Sequence, residues 1–172
     1  MNGGADISED GKYRYRLWRE WGSNGRLPWI MLNPSTADAT VDDATIRKCI
    51  GFAKRWGYGG IEVVNLFALR ATDPKVCRAA FDWGGERNDR AIISAVAGVG
   101  VVCAWGNFPW ASARAKIVLT LVRDAASEVV CLGYSANGSP YHPLMQPYSR
   151  KCMEFSDQQT AQKLAARKAA AR

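Results

Sequence analysis

Four short apolar runs recur along the chain, and each closes on a polar residue or a glycine. They are "LPWIML" before Asn33-Pro34, "IEVVNLFAL" at 61 to 69 containing Asn65, "VGVVCAWG" at 99 to 106 ending at Gly106, and "EVVCLG" at 128 to 133 ending at Gly133. Runs of this length, rich in β-branched residues and lacking polar alternation, suit strands covered on both faces.

Helical patterns fill the gaps between these runs. Asp42 and Asp43 stand where carboxylates favour a helix start, and Ile46, Cys49, Ile50, Ala53 and Trp56 then recur at helical spacing before Gly57. Arg47, Lys48, Lys54 and Arg55 fall on the opposite side, so this helix has one apolar and one basic face. A second helix is expected around 87 to 97 through Ala91, Ile92, Ala95 and Val96. A third is expected over 110 to 125, with Ile117, Val118, Leu121 and Val122 on its buried side.

Strands alternating with helices of this length imply an α/β fold, a three-layer sandwich with a mainly parallel central sheet flanked by helices. Ahead of it, "KYRYRL" at 12 to 17 alternates cation with apolar side chain, and Gly22-Ser23-Asn24-Gly25 is a turn signal. The expectation is an N-terminal hairpin joining this strand to "LPWIML", with Lys12, Arg14 and Arg16 on its wet face. One domain spans 1–155, and a basic helix spans 156–172, capped at Ser156.

With 172 residues and 48% hydrophobic content the chain is long enough for a substantial core. No apolar run approaches the ~20 residues of a membrane span, and the polar N-terminus lacks a signal-peptide stretch, so a soluble cytoplasmic protein is expected. The five cysteines form no CxxC or Cys/His cluster, which argues against a disulfide framework, zinc or an iron–sulfur centre. A net charge of +7 favours an acidic partner, nucleic acid first.

The chain has no GxxxxGK[ST], no GxGxxG after a strand and no GxSxG, which removes support for P-loop, dinucleotide and elbow-type hydrolase chemistry. In α/β sheets ligands bind beyond the carboxyl ends of the strands. Asn33, Pro34, Ser35, Asn65, Arg70 and the only histidine, His142, are therefore the candidates to converge on one cleft. An amide offers a donor and an acceptor for the edge of a nucleobase, a histidine donates to developing charge on a carbonyl, and Phe67 or Tyr141 offers a stacking face. Asp38, Asp42 and Asp43 admit a magnesium reading, but carboxylates at a helix start are the commoner use.

Together, "MLNPSTADATVDDATIRKCIGFAKRWGYGGIEVVNLFALRATDP", Asn88-Asp89, "CAWGN" and "GSPYHPL" resemble the DUF1643 family, small proteins of bacteria and phages, over roughly residues 12 to 146. The order of a strand ending in Asn-Pro, a helix, an apolar strand ending in Asn, a strand ending in Gly and a late His-Pro loop is more distantly similar to the uracil-DNA glycosylase superfamily. That resemblance implies a glycosylase-like fold and a role on a nucleobase in DNA; from the cysteine and carboxylate patterns no metal or other cofactor is expected. Asn33 would position water, Asn65 would read the base, and His142 would stabilise the departing base. Leu144 and Met145 would fill the space of a flipped nucleotide. Arg14, Arg16, Arg47, Lys48, Lys54 and Arg55 would contact phosphates. Two departures stand out: Met31-Leu32 and Ser35-Thr36 flank the Asn-Pro pair in place of glycines, and the late loop reads His-Pro-Leu. The alternative is a non-catalytic nucleic-acid or nucleotide binding module on the same fold.

Overall fold

The computed structural model describes residues 1–80 and 82–156. A seven-stranded sheet runs through it in the order β1-β2-β4-β3-β5-β6-β7. The strands are β1 (Asn2–Ile7), β2 (Arg14–Glu20), β3 (Arg26–Met31), β4 (Gly60–Asn65), β5 (Gly100–Cys103), β6 (Glu128–Cys131) and β7 (Met153–Glu154). β4, β3, β5 and β6 are mutually parallel, while β1, β2 and β7 run antiparallel at the flanks. The expected α/β architecture with a mainly parallel centre is therefore present.

The four apolar runs occupy the interior of this sheet because each buries side chains on both faces. On one face α1 (Ala44–Arg55) lays Ile46, Cys49, Phe52 and Ala53 against Trp29, Met31, Ile61 and Val63. On the other, α3 (Gly85–Val96) and α4 (Ser112–Ala125) cover Ile30, Val64, Val101 and Cys103. Asp43 caps α1 by accepting from the Ile46 N–H at 2.8 Å, as the carboxylates before the helix led one to expect.

Two expectations are corrected and one element is added. The buried stripe of α4 is Ala115, Val118, Leu119 and Val122, an i, i+3, i+4, i+7 set, and Ile117 is 55% exposed. A short helix, α2 (Pro74–Ala80), follows β4; its only buried residue is Cys77, so it carries almost no amphipathic signal. The second correction concerns the hairpin. β2 does not pair with β3; β4 lies between them, antiparallel to β2 and parallel to β3. Every residue of β4 is buried, so it needs a strand on each edge, and the N-terminal hairpin is instead β1 with β2. The expected helix beyond Ser156 falls outside the described residues.

The β2–β3 turn must then pass directly over the entry to β4. Trp21 and Gly22 both donate to the Gly59 carbonyl, at 2.8 and 3.0 Å, and Gly59 donates to Gly25. A Cβ on Gly59 would sit 2.5 Å from the Gly22 carbonyl oxygen and 2.6 Å from the Asn24 nitrogen, both backbone atoms that cannot rotate away. Gly59→Ala should therefore cost about 1–3 kcal/mol by overpacking, read as a lower urea midpoint at unchanged slope. Gly100→Ala, whose Cβ would meet its nearest atom at 3.7 Å, should leave the midpoint nearly unmoved.

Candidate functional site

At the carboxyl ends of β3, β4 and β5 a cleft of about 410 Å³ opens. The exit of β3 contributes Leu32, Asn33 and Ser35, and the end of β4 contributes Asn65. The segment after β5 contributes Gly106, Asn107 and Phe108, the start of α1 contributes Asp43 and Thr45, and the late loop contributes His142. Asn33, Asn65 and His142, far apart in the chain, thus line one cavity.

Each of these three side chains has one end already committed, which fixes the polarity of the other. Asn33 Nδ2 donates to the Ala71 carbonyl at 2.7 Å and to the Pro34 carbonyl at 3.0 Å, while Ala71 N–H donates to the same Pro34 oxygen. Both amide hydrogens are spent clamping two strand exits together, so Asn33 Oδ1 is the atom left to accept. His142 Nδ1 accepts from the Leu144 N–H at 3.3 Å, which puts the proton of the neutral ring on Nε2 as a donor. Asn65 Oδ1 accepts from Arg14 Nη2 at 3.5 Å, and because a guanidinium only donates, the Asn65 amide has its oxygen toward Arg14. Asn65 Nδ2 is buried without a hydrogen-bond partner among the described residues.

Packing holds these groups still. Gly106 has φ +81°, a left-handed conformation suited to glycine, and a Cβ there would press to 3.2 Å on His142 Cβ. The His142 ring is held by the 3-10 turn Pro143–Met145, which packs against α1. Below the cleft, Asn88 on α3 is fully buried and its Nδ2 donates to the carbonyls of Asn65 and Leu66. Arg114 donates to the Leu66 carbonyl at 2.9 Å and pairs with Asp89.

The cations fall into two sets. Arg47, Lys54 and Arg55 are exposed on the outer face of α1, and Lys48 is half-buried. Lys48 and Arg55 flank the Tyr148 ring at 4.0 and 3.9 Å, and Lys54 lies 5.3 Å from the Trp21 ring centre. Arg14 and Arg16, expected on a wet face, behave otherwise. Arg16 pairs at 2.5 Å with Glu62, a buried carboxylate that also takes Arg26 at 3.1 Å. Arg14 is only 3% exposed and lines the cleft. The cause is a break in the β1–β2 register: Asp6 faces Arg16 but the next residue, Ile7, faces Arg14. Two steps on β2 against one on β1 is a bulge, and a bulge re-aims the side chains beyond it.

Several expected contributors lie outside the cleft lining. Phe67 is buried against Trp110 at 5.2 Å, and Tyr141 packs beside Gly133 beneath Arg150. Phe108 is the aromatic ring that does line the cavity. Arg70 donates to the Gly11 carbonyl at 3.1 Å, and Pro34 is buried behind Asn33. Leu144 and Met145 stand exposed at 41% and 84% immediately after His142. Asp42 pairs with Arg19 at 2.8 Å, and Asp38 accepts from the Thr40 and Val41 N–H groups, so these carboxylates are engaged locally. Among the described residues no three His, Cys, Asp or Glu side chains group as a metal site, and no helix is long and apolar enough to cross a membrane.

Residues 14–144 match a family described as protein of unknown function (DUF1643). No curated protein and no solved structure matches the chain.

Burial lowers the His142 pKa below its ordinary 6.5, with Asp43 opposing the shift. The fold therefore favours the neutral ring. Above the unfolded pKa both states are neutral and stability is intact; as pH falls from there through the folded pKa, the unfolded chain takes up the proton first and stability is lost. Because the chain has one histidine, its single imidazole signal should titrate below 6.5 by NMR, and His142→Gln should remove that part of the acid sensitivity.

Proposed function

We propose a function for this chain, which belongs to the DUF1643 family: it is a glycosylase-like protein that acts on a nucleobase in DNA, cleaving or processing the N-glycosidic bond. The observation that carries the reading is the fixed polarity of three groups on one cleft, an acceptor at Asn33 Oδ1 and donors at His142 Nε2 and Asn65 Nδ2. Base excision needs that combination. Water must be held by an acceptor, and the departing base must be met by donors.

In this reaction the bond between C1′ of the sugar and the base nitrogen breaks, and its electron pair leaves with the base. His142 Nε2–H donates to an oxygen of that base, and a neutral imidazole suits the task because it keeps its proton at physiological pH. Water hydrogen-bonded to Asn33 Oδ1 adds its oxygen to C1′. Its released proton neutralises the base, giving free base and an abasic sugar. Phe108 supplies a face for the flipped base and Asn65 Nδ2 a donor for its edge. Leu144 and Met145, exposed beside His142, suit the gap left in the duplex. Arg47 and Lys54, exposed on α1, would contact the phosphates. The uracil-DNA-glycosylase-like arrangement of this sheet, with its ligand groups at the carboxyl edge, belongs to the same proposal.

The test is release of free base from duplex DNA carrying uracil, a mismatch or a hypermodified base. Asn33→Ala and His142→Ala should each lower the rate roughly 10²-fold or more. No release from any of these substrates would remove the activity.

The exposed cations of α1, whose N-terminus opens on the cleft, favour a second reading, a binding module without catalysis. Arg47→Glu with Lys54→Glu should weaken DNA binding and reduce its salt slope by about one for each phosphate no longer neutralised. DNA affinity unaffected by Asn33→Ala, together with no base release, would select the binding module.

A further inference from the structure

Base excision by Asn33, Asn65 and His142 makes no use of the charge on Arg14, yet it is the most unusual residue in the cleft. Its guanidinium is buried, lines the cavity, and makes no ion pair with a described carboxylate. Nη1 donates to the Ala37 carbonyl at 2.7 Å, Nη2 reaches Asn65 at 3.5 Å, and Nε has no partner among the described residues. Arg19, on the same strand and equally buried, offers the contrast: it is matched by Asp42 at 2.8 Å. Asp43 and Asp38 attract Arg14 from a distance, and Arg70 and Arg19 repel it. Burial lowers its pKa only to about 10, so it is a cation at neutral pH.

A buried cation without a counter-charge is costly, and a β-bulge is spent on putting it there. Its neighbour, Asn65 Nδ2, is a second buried donor without a partner on the same cavity. Two unmatched donors on contacting residues of one cavity, one of them charged, call for a ligand that brings acceptor atoms and negative charge.

We propose that Arg14 and Asn65 form a subsite for an anionic ligand bearing adjacent oxygen acceptors, and that Arg14 supplies its counter-charge. The identity of the anion rests on the base-processing reading: it is the nucleobase as it departs with the bonding electron pair. Arg14 then stabilises that charge through the base's carbonyl oxygens, and it also holds the Asn65 amide in its donating orientation. The same chemistry is offered by a nucleotide phosphate, and the test separates the two sources.

The experiment is calorimetric titration of the full chain with three probes: uracil, neutral at pH 7; barbiturate, a pyrimidine trione ionised at pH 7; and inorganic phosphate. The wild type should bind barbiturate roughly ten-fold or more tightly than uracil. Arg14→Met should abolish that preference by weakening barbiturate binding more than it weakens uracil binding, and Arg14→Lys should keep part of it. Phosphate bound in an Arg14-dependent way, with neither pyrimidine bound, would uphold the anion subsite and overturn the base reading. Barbiturate bound no better than uracil, with phosphate unbound, would overturn the subsite, and uracil binding alone would leave the base reading standing. A preference that survives in a folded Arg14→Met protein would also overturn it. If Arg14→Met does not fold, the wild-type ratio and Arg14→Lys decide.

Discussion

The position of β4 governs this molecule. All six of its residues are buried, so it must have a strand on either edge, and it takes β3 as a parallel neighbour and β2 as an antiparallel one. β2 therefore runs opposite to the central strands, and the insertion sets it beside β4 in place of β3. The start of β2 consequently lies at the carboxyl edge of the sheet, the side where α/β folds keep their ligands. A residue that would sit at the far end of a parallel strand is thereby brought beside Asn65.

The segment between β3 and α1 is then secured from β2. Arg14 donates to the Ala37 carbonyl and Arg19 to the Asp38 carbonyl, both at 2.7 Å, while Arg19 also pairs with Asp42. A loop of small polar residues with almost no core of its own is fixed by two buried guanidiniums reaching its backbone. Asn33 performs the matching task at the other end of the loop, tying it to Ala71. The side chains that shape the cleft are thus also the ones that hold its walls, and the form of the cleft and the order of the loop draw on the same few hydrogen bonds.

Much of this was legible in the sequence, for reasons that can be named. Apolar runs that must be covered on both faces placed β3, β4, β5 and β6, and Asp43 with the 3.6-residue pattern placed α1. The strand-end rule brought Asn33, Asn65 and His142 to one cavity. Pairing order was not legible, because a Gly-rich turn between two strands reads as a hairpin whether or not a third strand enters between them. Arg14 was read as a wet-face cation for phosphates because period-2 reasoning assumes an unbroken ladder, and the bulge opposite Asp6 and Ile7 inverts the alternation at that point. Phe108 sits in "GNFPW", a loop with no periodicity, so nothing distinguished it from Phe67. β1, "NGGADI", has no alternation to detect, and β7 is two residues long.

The loop between β6 and His142 closes on itself before it reaches the cleft. Ser135 N–H donates to the Ser139 carbonyl at 2.8 Å, Tyr134 bridges Pro140, and Tyr141 returns to Gly133. The turn from Ser135 to Ser139 is therefore closed by its own neck, with Gly138 buried and Asn137 and Ser139 lining a cleft with Ala115 and Leu119 of α4, and the position of His142 is set below it. Such a neck separates the placement of the histidine from the turn beyond it: the bond from Tyr141 to Gly133 and the close contact with Gly106 fix His142, and the residues at the tip do not.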